Sequence, residues 1–381
     1  MKAMPTTAIK EHNRNAMAAL LYRSGPVTKQ DLARELELSL PTITQNLRAL
    51  ENDGIAIKGP LGQSTGGRRA QTYVFNPRHR VAIGVAMRSD GVHIRAVDLN
   101  GEIVDATDLT LPYRNDDPYY QRMGDVINGF ATRQRSRGSQ VLGVSFAVQG
   151  IVSANGNTIA FGKIMGNTGL TIDRIAQAIG HPAMMIRDAD ASAMAELWAD
   201  PTIADAVCVY LERRPGGAVI INGRLHQGPN QCNGTIEHMV LVPGGRRCYC
   251  GGRGCMDAYC SLETLPEDYE SIPGFFSVLA QGERTHRARM EEWLDHVAQA
   301  IVNARSVIAG DVIIGGEASR YLTDLDIADL RGRVVAHTPF GTDGLVLRRS
   351  LGGDDQSIIG AALRYVEGYV DDICGISAPA R

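Results

Sequence analysis

The sequence predicts an α/β protein in two parts: a small, mostly helical head ending in a β-hairpin, then a large body of alternating strands and helices. Three observations carry this. The first 75 residues hold three short helical patterns with matched start and stop signals. After Asn76-Pro77 the pattern changes to apolar, strand-like runs separated by helical segments. Charge divides at the same place: residues 1–75 carry ten Lys/Arg against six Asp/Glu, a net of +4, which leaves −7 for the rest of a chain of net charge −3. The length of 381 residues allows about two or three domains, and the expected boundaries are 1–76 and 77–381.

In the head, Lys10 to Ser24 reads as one helix with Ala16, Leu20 and Leu21 on its apolar face, ended by Gly25-Pro26. Thr28 starts a second helix, with Asp31 placed as in a capping box and Leu32, Ala33 and Leu36 facing inward. After a turn at Glu37-Leu38, Ser39 caps a third helix running to about Asn52, whose buried stripe is Ile43, Leu47 and Leu50. Its other face presents Pro41, Thr42, Gln45 and Arg48, short polar groups and a cation suited to a DNA major groove. Ile55–Lys58 and Gln71–Phe75 alternate like strands around a glycine-rich tip, so the head ends in a wing. Arg68 and Arg69 at that tip suit phosphates or a minor groove. Helix, short turn, capped helix and basic wing together predict a winged helix-turn-helix that binds double-stranded DNA. A three-helix domain with a solvated loop is the plainer alternative.

The body opens with strand candidates at Val81–Ala86, Gly91–Val97 and Val141–Ala147, with Asn100-Gly101 as a hairpin turn. Helical segments are expected near 117–135, 171–180, 191–199 and 284–308. The alternation predicts two α/β lobes.

One cluster carries specific chemistry. Cys248, Cys250 and Cys255 lie within eight residues, and His238 lies ten residues upstream. Three thiols and one imidazole close a tetrahedral shell around Zn²⁺ with no open position, which is a structural site. Gly251, Gly252 and Gly254 let the backbone fold tightly enough for Cys250 and Cys255 to reach one ion. Disulfide-bonded or merely buried cysteines are the alternative. Cys208, Cys232, Cys260 and Cys374 bring the total to an odd seven, there is no apolar run of membrane-spanning length, and no secretory segment opens the chain. A cytoplasmic, membrane-free protein is expected.

Several of these segments together resemble the ROK family (repressors, open reading frames and sugar kinases), in particular its transcriptional regulators. The resemblance rests on Asn233–His238, the cluster Cys248–Cys255, Gly223 and Gly228 in Ile220–Gly228, Ile313–Gly316 and Ile358–Ala362, together with the winged head. It implies an actin-like, ribonuclease-H-like pair of lobes, a carbohydrate in the cleft, and zinc buttressing the carbohydrate site. It also locates two departures from the kinases. The first phosphate loop, like Asp-x-Gly-Gly-Thr, corresponds to Gly84–Asp90, with Met87 and Arg88 in the loop; the second, like Leu-Gly-Thr-Gly-x-Gly-Gly-Gly, corresponds to Leu211–Ala218, where Glu212 places a negative charge where a phosphate would lie and Pro215 removes a donor. Backbone N–H groups cannot cradle phosphates there, so no enzyme activity is expected. A sugar kinase of the same family is the alternative reading, and Gly315-Gly316 is weak support for it.

The resemblance further implies the effector contacts. Asp188 stands where the kinases keep a catalytic aspartate and is expected to accept hydrogen bonds from ligand hydroxyls, with Asp190 capping the following helix. Asn167 resembles a carbohydrate contact. His238 would bind zinc through one nitrogen and the ligand through the other, and Asp257 stands for a glutamate. Glu237 faces solvent or the zinc shell. Thr235 replaces a carboxylate, and Arg187 replaces an asparagine. That exchange suggests an effector with an acid group, unless Arg187 pairs with a nearby aspartate. The function implied is a transcriptional regulator, a repressor of carbohydrate uptake or catabolism genes, binding operator DNA as a homodimer or homotetramer and released by a sugar, polyol or sugar acid.

Overall fold

A computed structural model describes residues 6–62, 69–338, 342 and 344–376. The head comprises α1 (Thr6–Arg23), β1 (Val27–Thr28), α2 (Lys29–Glu35), α3 (Leu40–Asn52), β2 (Ala56–Leu61) and β3 (Gln71–Phe75). Local chemistry accounts for its breaks. Thr28 and Asp31 form a reciprocal capping box on α2, and the Ser39 side chain accepts the Thr42 N–H at the start of α3. Ile43, Leu47 and Leu50 are buried as expected, whereas α1 buries Met17, Ala18 and Leu21 and leaves Ala16 and Leu20 half-exposed. The strands form an antiparallel sheet in the order β1-β3-β2, so the two-residue β1 joins the wing.

The first lobe contains β4 (Arg80–Met87), β5 (Gly91–Asp98), β6 (Ile103–Thr110), α4 (Asp117–Ser136), β7 (Gln140–Val148), β8 (Ile151–Val152), β9 (Ile159–Phe161), α5 (Ile172–Ala176) and β10 (Ala183–Arg187). Then α6 (Asp188–Ala199) leads to the second lobe: β11 (Ala206–Tyr210), β12 (Gly216–Ile221), β13 (Arg224–Leu225), α7 (Asp257–Cys260), α8 (Ile272–Ala280), α9 (Arg284–Arg305), β14 (Asp311–Gly315), α10 (Asp324–His337) and β15 (Leu347–Arg349). The chain ends in α11 (Gln356–Cys374). The sheets run β10-β7-β4-β5-β6 and β13-β12-β11-β14-β15. In each, three strands meander antiparallel, the first pairs in parallel with the fourth, and the fourth with the fifth. One topology thus occurs twice, the actin-like pair of lobes that the family resemblance implied.

Two local expectations fail for one reason. β10 runs into α6 without a loop, so α6 starts at Asp188 and not near 191. Asp190 therefore lies inside the first turn and caps nothing, while Asp188 Oδ1 accepts the Ala189 N–H at 2.8 Å. The helix expected over 171–180 is only the short α5.

Helices α6 and α11 pack against each other at the base of the lobes. A Cβ on Gly360 would lie 1.7 Å from the Ala191 carbonyl oxygen, and one on Gly84 would lie 2.1 Å from that of Ile358. Only glycine permits approaches this close. Glu196 of α6, fully buried, accepts hydrogen bonds from Arg348, Ser350 and Gln356, tying α6 to the segment between β15 and α11.

Head and body share one hydrophobic core. Met17, Leu21, Leu47 and Phe75 of the head cluster with Ala82, Val97, Val366, Val370 and Ile373 of the body. Tyr22 donates to the Leu99 carbonyl at 3.1 Å, and His79 spans from the Asn76 carbonyl to the Tyr369 hydroxyl.

Candidate functional site

Pro41, Gln45 and Arg48 are exposed on α3, at helical spacing i, i+4 and i+7. Thr42 is half-buried, and its hydroxyl lies 2.9 Å from Ser39 Oγ at the cap. Thr44, equally half-buried, lies beside Pro41, Gln45 and Arg48 and was not singled out from the sequence. Arg69 is exposed beside the wing, and Arg68 lies outside the described residues.

His238, Cys248, Cys250 and Cys255 converge, with ligand atoms within 4.8 Å of one another. Gly251 and Gly254 adopt left-handed backbone, which tightens the loop between the thiols. Cys250 Sγ and Cys255 Sγ are 3.8 Å apart, and Cys248 Sγ lies 3.7 Å from His238 Nδ1. Tetrahedral Zn²⁺ with bonds of about 2.3 Å to sulfur separates its ligands by roughly 3.8 Å. The donor set and spacing therefore fit a metal ion. The other nitrogen, His238 Nε2, faces the Tyr249 hydroxyl at 3.3 Å. Lobe one meets this loop: Phe161 of β9 packs edge-on against His238, and Lys163 donates to the Cys250 carbonyl at 3.0 Å.

Asp188 reaches water beside Arg88 and Arg187, and burial raises its carboxyl from 3.8 to about 6. Burial likewise lifts Glu237 to about 7 and raises Asp257. Asp257 is buried, and its Oδ2 accepts from Arg214 at 3.2 Å. Thr235 turns its hydroxyl to the Cys232 carbonyl at 2.8 Å. Asn167 is buried, with Oδ1 against Gly162, next to Phe161.

Arg187 turns to Asp190, while its Nε has no hydrogen-bond partner. It is buried and ion-paired with Asp190, and it also donates to the Asn233 carbonyl at 3.0 Å. This is the pairing with a nearby aspartate that the sequence left open, and Asp190 offsets the charge that had suggested an acidic effector. Glu237 also departs from expectation: it is buried and faces the cleft charges Arg187, Asp188 and Asp257. No local signal marks this, since charged side chains are mostly exposed.

A model of the ROK family matches residues 82–365, and a model of winged helix-turn-helix DNA-binding domains matches residues 19–56. The chain belongs to the ROK family. Among relatives of this ROK chain, the Escherichia coli K12 DNA-binding transcriptional dual regulator NagC is 26% identical over 275 residues, covering 69% of this chain and 68% of NagC. The Bacillus subtilis xylose repressor is 24% identical over 262 residues, covering 68% of each chain. A crystal structure of a ROK family transcriptional regulator, a homologue of the E. coli Mlc protein, superposes with a TM-score of 0.75 at 19% identity over 96% of this chain and 98% of that one. A ROK glucokinase from Streptomyces griseus, bound to glucose and AMPPNP, gives 0.63 at 22% identity over 74% and 98%.

The ROK fold is kept here without an open phosphate loop. Gly84 to Met87 is strand, not loop, and Met87 is buried in the lobe-one core. The turn that follows is a tight hairpin in which the Arg88 N–H bonds to the Gly91 carbonyl at 2.8 Å. Glu212 stands near Asp188 and Arg88, its carboxyl raised by burial to about 7. Gly315 and Gly316 close β14 against Tyr210 and Leu211, which is a packing role.

Proposed function

We propose that this protein is a DNA-binding transcriptional repressor whose operator affinity is controlled by a carbohydrate in the interlobe cleft. The observation that carries the reading is the shared core. α1 of the head packs on α11, α11 packs on α6, and α6 begins at Asp188 in the cleft. A ligand that favours one lobe arrangement therefore acts on an element in contact with the head, and differential affinity for the two arrangements is what shifts DNA binding. The repressor names of the relatives support this reading.

Pro41, Thr44, Gln45 and Arg48 are the base readers, Thr42 supports the helix start, and Arg68 and Arg69 hold DNA backbone or a minor groove. Asn167, Asp188, His238 and Asp257 bind the effector. Zinc in the Cys₃His cluster is structural and would fix the loop carrying His238 and Asp257. A homodimer or homotetramer presents two heads to a palindromic operator, in the cytoplasm where thiolates stay reduced.

The test is selection of duplex sites from a randomised library, followed by binding titrations with and without sugars. Release of the selected duplex by a carbohydrate supports the reading; binding unchanged by every ligand that binds the body overturns it. Asp188 alone favours a sugar kinase, and sugar-dependent ATP consumption would establish that reading instead.

A further inference from the structure

The inference concerns the arm of the wing and rests on the DNA-binding reading above. Strands β2 and β3 do not pair in continuous register. Lys58 pairs with Tyr73 and Leu61 with Gln71, so Gly59 and Pro60 together oppose the single residue Thr72. This is a β-bulge, which bends the strand and increases its twist. The two residues suit it. Pro60 has no N–H to give to a ladder, and a Cβ on Gly59 would lie 2.8 Å from Thr72 Oγ1. Pairing resumes beyond the bulge, where the Gly62 N–H bonds to the Ala70 carbonyl at 2.9 Å. The outer arm, with Leu61 and Gly62 on one side and the exposed Arg69 and Ala70 on the other, therefore projects from a bend and not from a straight hairpin.

Side chains of β3 hold that bend. The Thr72 hydroxyl donates to the Pro60 carbonyl. Gln71 Nε2 donates to the Gly59 carbonyl at 2.8 Å and to the Thr72 carbonyl at 2.9 Å. These bonds serve carbonyls at the point where a bulge disrupts the ladder. On its other edge β3 pairs the buried Thr72 with Thr28, whose side chain opens α2 in the capping box. Lys29, the first residue of α2, lies over the ring of the next residue, Tyr73, at 5.7 Å from its centroid. One residue of the middle strand thus joins the start of the helix-turn-helix to the bend of the wing.

We propose that Thr72 is a positioning residue for DNA binding: by holding the Gly59-Pro60 bulge it aims the outer arm, and with it Arg69, at the duplex that α3 enters. Thr72 is buried and touches no DNA, so its effect reaches the duplex through Arg69.

Fluorescence anisotropy of the full-length, metal-loaded protein on the selected duplex, over a salt series, tests this. Arg69→Ala is expected to weaken binding about threefold or more and to lower the salt dependence by about one counterion. Thr72→Val keeps the branched shape, removes the hydroxyl, and is expected to do the same with Arg69 in place. Thr72→Ser keeps the hydroxyl and is expected to bind like wild type. The double variant Thr72→Val/Arg69→Ala is expected to be no weaker than Arg69→Ala alone, because both changes remove one contact. Gln71→Leu removes two bonds at the bulge, is expected to show the same loss, and decides the matter if Thr72→Val does not fold. Wild-type affinity and salt dependence in Thr72→Val, or in Gln71→Leu where that variant decides, overturns the inference, as do losses that add in the double variant. If Arg69→Ala binds like wild type, the arm makes no contact and the inference falls while the reading of α3 stands. A wild-type protein that selects no duplex overturns the DNA-binding reading and the inference together.

Discussion

Arg187, the last residue of β10, and Asp190, in the first turn of α6, form an ion pair in which both side chains are buried. The second Asp190 oxygen accepts from Gln227 at 3.0 Å. This pair locks the strand-to-helix junction that positions Asp188. Asp190→Asn leaves a buried cation without its counter-charge, so a loss of about 3–5 kcal/mol is expected. Urea denaturation measures it, and an unchanged midpoint would show that Arg187 finds water or another acid.

Asp188 gives a pH dependence of defined sign. Its carboxyl titrates near 6 in the folded protein against 3.8 ordinarily, because burial penalises the anion. The folded state therefore holds its proton over a window where the unfolded chain has released it. The resulting cost is absent below 3.8, grows as pH rises through the window, and is complete above about 6. Asp188→Asn is expected to raise the melting temperature at neutral pH, with a gain that shrinks as pH falls toward 4. A gain independent of pH would refute the assignment.

Metal removal should strike the cleft before the fold. Cys250 is a member of the Cys₃His cluster, and the loop it anchors touches lobe one through Lys163. Cys250→Ala, or chelation, is expected to abolish stoichiometric zinc and weaken the sugar response while far-ultraviolet dichroism stays native. Elemental analysis beside a sugar titration reads both. Full metal content with full response in Cys250→Ala would remove the buttress role.

On the head, Gln45 and Arg48 share the exposed stripe of α3. Gln45→Ala is expected to cost about 1–3 kcal/mol on the selected duplex and much less on a mismatched one. If Arg48 instead contacts phosphate, Arg48→Ala weakens both duplexes alike and lowers the salt dependence by about one counterion. Fluorescence anisotropy over a salt series distinguishes the two roles.

The shared core of α1 and α11 predicts that head and body melt together. Leu21 is buried at this junction, and Leu21→Ala is expected to destabilise the whole protein by about 2–5 kcal/mol. Calorimetry should show one transition for the head and its adjoining lobe. A separate low-temperature transition confined to the head would break the proposed path from cleft to DNA.

Local patterns made much of this legible. The capping box Thr28/Asp31, the Ser39 cap and the stripe Ile43, Leu47, Leu50 are interactions among residues three or four apart, and they locate α2 and α3 directly. The three-thiol cluster is likewise nearly contiguous, and the alternation of strands and helices gives the body's class. The boundaries of α5 and α6 were not legible, because where a strand stops and a helix starts depends on what packs over the junction.

By itself, then, the sequence determined the capped helices of the head, the Cys₃His cluster and the α/β character of two lobes, all from groups close along the chain. Tertiary structure alone decided that Arg187 is paired with Asp190 beside Gln227 and Asn233, that Glu237 turns inward, and that the head is welded to α11. These outcomes turn on which distant groups exclude water from a side chain. Burial sets the cost of a charge or an unpaired oxygen, and burial is a property of the assembled molecule that no short stretch of residues contains.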